Sequence, residues 1–252
     1  MGIYRSSGSD GQYFIEQRVG ILVFVRCFIC GYCIDLGSEG YLLIKIMIGL
    51  IGMLLATACA TKSVKSDYVP ASESGKGVVS GSITYDGHYA GYRVWYRQIP
   101  EGESGFFEWG KGKILIPYFP SGDFEDQDVK GAIFAAELPA GTYELYRWSV
   151  ECGAARITPT QPFSVRFTVE PGRAVYTGNF HFVETANLGL TVTAVDVTYS
   201  DAHERDLNKL KSKYPGFGRT PVAYAVAPGT SIEKIGGSTN TMITLPIVVP
   251  VN

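Results

Sequence analysis

The chain has 252 residues, with 22 Lys and Arg against 24 Asp and Glu for a net charge of −2, and five cysteines. At 46% hydrophobic, 18% charged and 13% aromatic, it has the make-up of one folded domain with appendages, neither disordered nor a polytopic membrane protein. The near-neutral charge excludes the broad cationic field of a general nucleic-acid binder, and the cysteine count excludes a disulfide-dense scaffold.

All prolines and tryptophans follow Cys59, whereas four of the five cysteines lie at or before it. The early part holds two apolar stretches. The first runs from Val19 to Val25, is broken by Arg26 and resumes at Phe28-Ile29. Near it, Cys27, Cys30 and Cys33 form overlapping C-x-x-C spacings, but no second such pair or His pair follows to complete a four-ligand metal site. The second stretch, Ile46 to Leu55, follows Lys45 and ends in Ala56-Thr57-Ala58-Cys59. Each uninterrupted run is shorter than the ~20 residues of a spanning helix. A cation, an apolar core of ~10 residues and small residues at its exit make the second an export signal.

The segment Leu54-Leu55-Ala56-Thr57-Ala58-Cys59 resembles the lipobox of bacterial lipoproteins. It departs from that pattern in one place: Ala56 stands three before the cysteine, and the expected Leu is one earlier, at Leu55. The resemblance implies a diacylglycerol thioether on Cys59, cleavage before it and acylation of the new amine, giving a palmitate-type covalent lipid as the only prosthetic group. Ala60, rather than Asp, implies by the same resemblance the outer membrane, with the protein facing the periplasm. Met1 lies far upstream of Lys45, so translation is expected to begin near Leu42 or Leu43. The expected organisation is a leader over residues 1–41, a signal peptide with an apolar helix over 42–58, the lipidated Cys59 with a flexible tether to residue 77, and one domain over 78–252. A coil of that length reaches roughly 20–25 Å.

From Val78 onward the period is two, the strand signal. Val79, Gly81, Ile83 and Tyr85 alternate with Ser80, Ser82 and Thr84, and Asp86-Gly87 predicts a hairpin turn. Tyr92, Val94 and Tyr96 alternate with Arg93, Trp95 and Arg97 in a second strand. Ile114 to Phe119 predicts a third, and Ala132, Phe134, Ala136 and Leu138 a fourth that ends at Pro139-Ala140-Gly141. Tyr143, Leu145 and Arg147 lead the next. Phe163, Val165, Phe167 and Val169 precede the turn Glu170-Pro171-Gly172, and Tyr176, Gly178, Phe180 and Phe182 return on one face. Leu188 to Tyr199 and Met242 to Val249 are later strands. One helix is predicted over about 202–214: Asp201 and Glu204 have capping-box spacing, Leu207, Leu210 and Tyr214 share a face expected to pack on the sheets, and Pro215-Gly216 ends it.

Short strands between Gly and Pro turns predict a mainly β fold, an antiparallel β-sandwich with this one helix. Leu138-Pro139-Ala140-Gly141-Thr142-Tyr143, followed by Phe163 to Val169 and Pro171-Gly172, resembles the transthyretin-like or carboxypeptidase-regulatory-like sandwich. The resemblance covers about residues 131–183. It implies a fold, with a core tyrosine entering the strand after the turn, and carries over no catalytic or ligand residue.

The chemistry-bearing candidates are few. His88, His181 and His203 form no H-E-x-x-H or comparable pair and are expected to be solvated or structural. Asp123, Glu125, Asp126 and Asp128 form an acidic loop, a candidate calcium site that lacks the Gly and Glu of an EF-hand at the sixth and twelfth places, held here by Asp128 and Phe134. Cys152 is expected to be buried as a small hydrophobe. G-x-S-x-G, Walker and Rossmann signatures are absent. Tyr85, Tyr89, Tyr92, Trp95, Tyr96, Phe106, Phe107 and Trp109 concentrate aromatic surface, of which Trp95 and Trp109 are the leading ligand-binding candidates. Three functions follow from this inventory. The first is a lipid-anchored, non-catalytic structural or interaction module with an envelope-protein partner. The others are a glycan-binding lipoprotein and a hydrolase with a fold-assembled site.

Overall fold

The computed structural model describes residues 61–112, 121–124 and 129–244, apart from the Arg219 side chain. Twelve strands and one helix follow in chain order: β1 (Lys76–Asp86), β2 (Gly91–Ile99), β3 (Ser104–Trp109), β4 (Lys130–Pro139), β5 (Gly141–Cys152), β6 (Ala155–Pro159), β7 (Val165–Val169), β8 (Ala174–Leu188), β9 (Thr191–Ser200), α1 (His203–Lys213), β10 (Val222–Tyr224), β11 (Ser231–Ile232) and β12 (Thr239–Ile243). They form two six-stranded sheets. The first has the order β11-β9-β8-β1-β4 with β10 also on β8, and the second β12-β6-β5-β2-β3 with β7 also on β5.

The inward residues of both sheets share one core. Val79, Ile83, Phe180 and Phe182 from the first meet Tyr92, Val94, Leu145 and Trp148 from the second. Phe107 of β3 stacks on Phe134 of β4 with ring centres 4.2 Å apart, and Tyr92 lies against Phe182 at 5.1 Å. At ~25 cal/mol per Å² of apolar surface, these large buried rings dominate the cohesion of the domain. The turn Pro139-Ala140-Gly141 carries the chain from one sheet to the other. Tyr143 then enters the core fully buried, its hydroxyl donating to the Pro139 carbonyl at 2.9 Å.

The other face of the first sheet is also covered. Leu210 and Tyr214 of α1 pack with Phe217 and Phe124 on Val78, Ile133, Ala135 and Ala174, as the helix pattern predicts. The N-cap is Ala202, which caps with no side chain; Asp201 instead accepts the His203 backbone N–H at 3.1 Å. The expected capping box is therefore not formed. No described helix or strand packs on the other face of the second sheet.

Several expectations are corrected. The first sheet is mixed rather than antiparallel, because β8 runs parallel to both β1 and β10. Asp86-Gly87 makes no hairpin: β1 pairs with β4 and β8, and β2 with β3 and β5, so the turn crosses between sheets. β3 was not foreseen, since only its aromatics stand out, and Ile114 to Phe119 lies outside the described residues. Tyr176 does not share a face with Phe180. The register of β1 and β8 shifts between Ser80 and Ser82, where Gly178 has φ +95°, and this bulge reverses the alternation. A Cβ at Gly178 would also sit 2.7 Å from the Tyr199 ring.

The largest correction concerns residues 61–75. They are not a free tether. The Thr61 N–H donates to the Phe106 carbonyl of β3 at 3.0 Å, Ser63 bridges Ala136 of β4, and the Val64 N–H donates to the Ala135 carbonyl at 2.9 Å. β3 and β4 are the edges of the two sheets on the same side, so this segment straps one edge to the other and satisfies otherwise open backbone groups. Tyr68 continues the docking, its ring against Phe217 and its hydroxyl donating to Glu137 at 2.6 Å. Burial and the neighbouring Glu137 carboxylate push the Tyr68 hydroxyl up to about 12.

Candidate functional site

The uncovered face of the second sheet gathers the most distinctive side chains. β2 presents Arg93, Trp95 and Arg97 outward, alternating with the core residues Tyr92, Val94 and Tyr96. β5 should alternate likewise, but its register with β2 shifts after Trp95: Trp95 pairs with Arg147 and Tyr96 with Leu145. Tyr146 is the extra residue of a β-bulge, so Tyr146 and Arg147 both face outward while Leu145 and Trp148 enter the core.

Guanidinium groups and rings then interleave across the face. Arg147 lies over Trp95 at 5.8 Å, Trp95 meets Phe106 at 4.7 Å, Arg93 covers Phe106 at 4.8 Å and Arg97 covers Tyr146 at 4.7 Å. The Trp95 indole N–H donates to Ser149 Oγ at 2.9 Å, fixing the ring along the sheet. Arg93 bonds Glu108 and Glu151, both at 2.7 Å, and Arg97 bonds Glu144 at 2.6 Å. Glu144 sits below the ordinary carboxylate range, chiefly because the Ser164 hydroxyl donates to it; burial opposes the shift and Arg97 reinforces it. Beside Tyr146 and Arg147 opens a shallow depression of about 330 Å³, closed by Thr158, Pro159, Thr160, Gln161 and Pro162.

Trp95 and Trp109 are not brought together. Trp95 lies half-buried on the outer face, whereas Trp109 pairs in register with Tyr92 and packs against the core. Its buried indole N–H has no acceptor among the described residues. Of the acidic loop, Asp123 alone is among the described residues. Asp123 accepts the Ile133 N–H at 2.8 Å and the Lys213 ammonium at 2.7 Å, so its carboxylate is already occupied. Glu125, Asp126 and Asp128 lie outside the described residues, as does Cys59. Among the described residues no group of acidic, His and Cys side chains is placed to hold a metal.

Each histidine pairs with a carboxylate. His88 Nδ1 lies 3.0 Å from Glu184, His203 Nδ1 lies 2.8 Å from Asp201, and His181 Nε2 lies 3.3 Å from Asp86. Burial works to raise both Glu184 and Asp201. It is outweighed by the His88 and His203 contacts, with further N–H donors from Asn187 and Gly229, and both carboxyls end below their usual range. Cys152 is buried, its sulfur 3.5 Å from the Leu190 carbonyl.

A second polar system, invisible in the sequence, lies buried between α1 and the first sheet. Asp206 is 1% exposed; its Oδ2 accepts Ser82 Oγ and Tyr176 OH, both at 2.6 Å, and its Oδ1 accepts Arg205 Nε at 2.8 Å. Ser82 and Thr84 flank the Asn179 amide at 2.7 and 3.0 Å, and Thr84 Oγ1 lies 2.9 Å from His181 Nδ1. With Oδ1 of Asn179 between them, Ser82 would have one proton for two acceptors. The amide turned over, Nδ2 donating to both hydroxyls, frees Ser82 to donate to Asp206 and Thr84 to donate to His181 Nδ1. The His181 proton then sits on Nε2, facing Asp86. Thr84, His181 and Asp86 thus line up like a nucleophile, base and orienting acid, but the Thr84 side chain is fully buried and closed to any substrate.

No family model, no curated protein and no solved structure matches the chain.

Proposed function

We propose that the chain is a lipid-anchored protein of the bacterial cell envelope, held by an acylated Cys59 in the outer membrane. Its β-sandwich faces the periplasm as a non-catalytic interaction module. One observation carries the reading: the apolar run after Lys45 ends in small residues at Cys59, and only two residues later, at Thr61, the chain is already bonded to the folded domain. Among the described residues no helix is long and apolar enough to cross a membrane. Each buried methylene contributes ~0.8 kcal/mol, so two or three acyl chains hold a protein where one holds it only reversibly.

The strap changes what such an anchor does. Two residues span at most ~7 Å, against the roughly 20–25 Å of a free tether. An acylated Cys59 therefore sets the β3–β4 edge of the domain close against the lipid headgroups. The non-catalytic part of the reading is supported by the burial of Thr84: among the described residues, the hydroxyl that faces His181 Nδ1 is sealed from any substrate. Substitution Cys59→Ala should abolish labelling by palmitate and release the protein from the membrane fraction. Unchanged partition of the variant contradicts the proposal.

A further inference from the structure

The strands of the second sheet carry five arginines (Arg93, Arg97, Arg147, Arg156 and Arg166), three glutamates (Glu108, Glu144 and Glu151), and no lysine or aspartate. Register places all eight side chains on the outer face, since each pairs with another member of the set or with outward Trp95, Ser149, Ser104 or Met242. After Cys59 the chain has eight arginines and ten lysines; five of the arginines and none of the lysines are here. A solvated cationic face has no reason to discriminate in this way. Arginine differs from lysine by a planar fork that grips an oxyanion through two parallel N–H bonds and stacks on rings.

Within the set, Arg147 is distinct. Arg93 and Arg97 hold glutamates, while Arg156 and Arg166 form no ion pair among the described residues and neither line the depression nor lie over a ring. Arg147 forms no ion pair among the described residues and lies over Trp95 at the rim of the depression beside Tyr146. The bulge that turns Tyr146 and Arg147 to the same side makes a ring and a guanidinium adjacent, in a depression that they line together with Thr158, Thr160 and Gln161.

We propose that this face binds a carboxylate-bearing polysaccharide, one uronate unit seated at Tyr146 and Arg147. Arg147, held against Trp95, takes the carboxylate in a bidentate pair, Tyr146 lies beside the sugar, and Thr158, Thr160 and Gln161 receive its hydroxyls. Charge complementarity selects the occupant: the face holds two more cations than anions in a chain whose net charge is −2. A neutral glycan would leave the fork of Arg147 without a purpose. Single-stranded nucleic acid requires a longer cationic track than two excess charges supply. The site gives the interaction-module reading its ligand, and it rests on that reading without depending on acylation.

The test uses the full chain in non-ionic detergent, with polygalacturonate, its methyl-esterified form and single-stranded DNA as probes. Polygalacturonate is expected to bind, and methyl esterification, which keeps the sugar and removes the charge, to weaken binding at least about tenfold. Arg147→Ala should weaken it similarly, and Arg147→Lys by several-fold, because the charge remains but the fork is lost. Arg173→Ala, off this face, controls for total charge, and an unshifted thermal midpoint shows that each variant is folded. No binding of polygalacturonate, equal binding of the ester, tighter binding of the DNA, or an Arg147→Ala protein that binds like wild type overturns the proposal. None of these results bears on acylation, which Cys59→Ala tests separately.

Discussion

Asp206 shows how much of this domain depends on single polar groups. It is the end point of a buried chain of hydrogen bonds and the counter-ion of Arg205, whose guanidinium also stacks over Phe124 at 4.5 Å. Removing it leaves Ser82 and Tyr176 without their acceptor and takes the counter-ion from Arg205, which keeps only the Ser82 hydroxyl at 3.1 Å. Asp206→Ala is therefore expected to cost about 3 kcal/mol, read from the urea midpoint at constant m-value. A loss below about 1 kcal/mol would show that water or another acceptor replaces the carboxylate. From sequence alone Asp206 is one more acidic residue in the first turn of a helix, where an exposed position is the default. Its burial follows from which way α1 lies on the sheet, and helical spacing carries no signal for that. Trp95 was legible as an outward aromatic because it alternates with Val94 and Tyr96. Trp109 carries no such signal, because its facing follows from the register of β3 with Tyr92.

At the scale of elements, period two placed most strands, and two bulges decided where it failed. The bulge at Gly178 turns Tyr176 toward α1 and Asp206, and the bulge at Tyr146 turns two consecutive residues of β5 outward. Each shifts the phase of alternation by one residue, which a pattern reading spreads into an error of facing for the residues beyond it. The Pro139-Ala140-Gly141 turn and Tyr143 were legible because turn chemistry is local. The strap was not, because Ala60 to Gly77 has the polar composition of a linker and its bonds are long-range backbone contacts. Hydrogen exchange separates the two pictures. The Thr61 and Val64 amides should exchange orders of magnitude more slowly than in an unstructured peptide. Exchange at the free-peptide rate would return this segment to a tether.

For the whole molecule, the two sheets divide the work. The first is covered on both faces and holds the buried polar network; the second shares the core and leaves one arginine-rich face open. The titration of the carboxylates has a sign. Glu144, Glu184 and Asp201 all titrate below their ordinary values in the folded protein. The unfolded chain therefore binds more protons through the acid range, and the stability these groups supply is full above about pH 5 and lost as pH falls through the ordinary carboxylate range toward their lowered folded values. Urea midpoints should decline between about pH 5 and pH 3, with a shallower decline in Glu184→Gln; a flat profile would contradict these assignments.

The proposed lipid anchor on Cys59 is tested most directly by one mass spectrum of the protein extracted from membranes. The expected result is an N-terminal peptide beginning at Cys59, heavier than its unmodified mass by a diacylglycerol thioether and an amide-linked acyl chain. An unmodified Cys59 within a longer peptide that includes residues upstream of it would contradict the account.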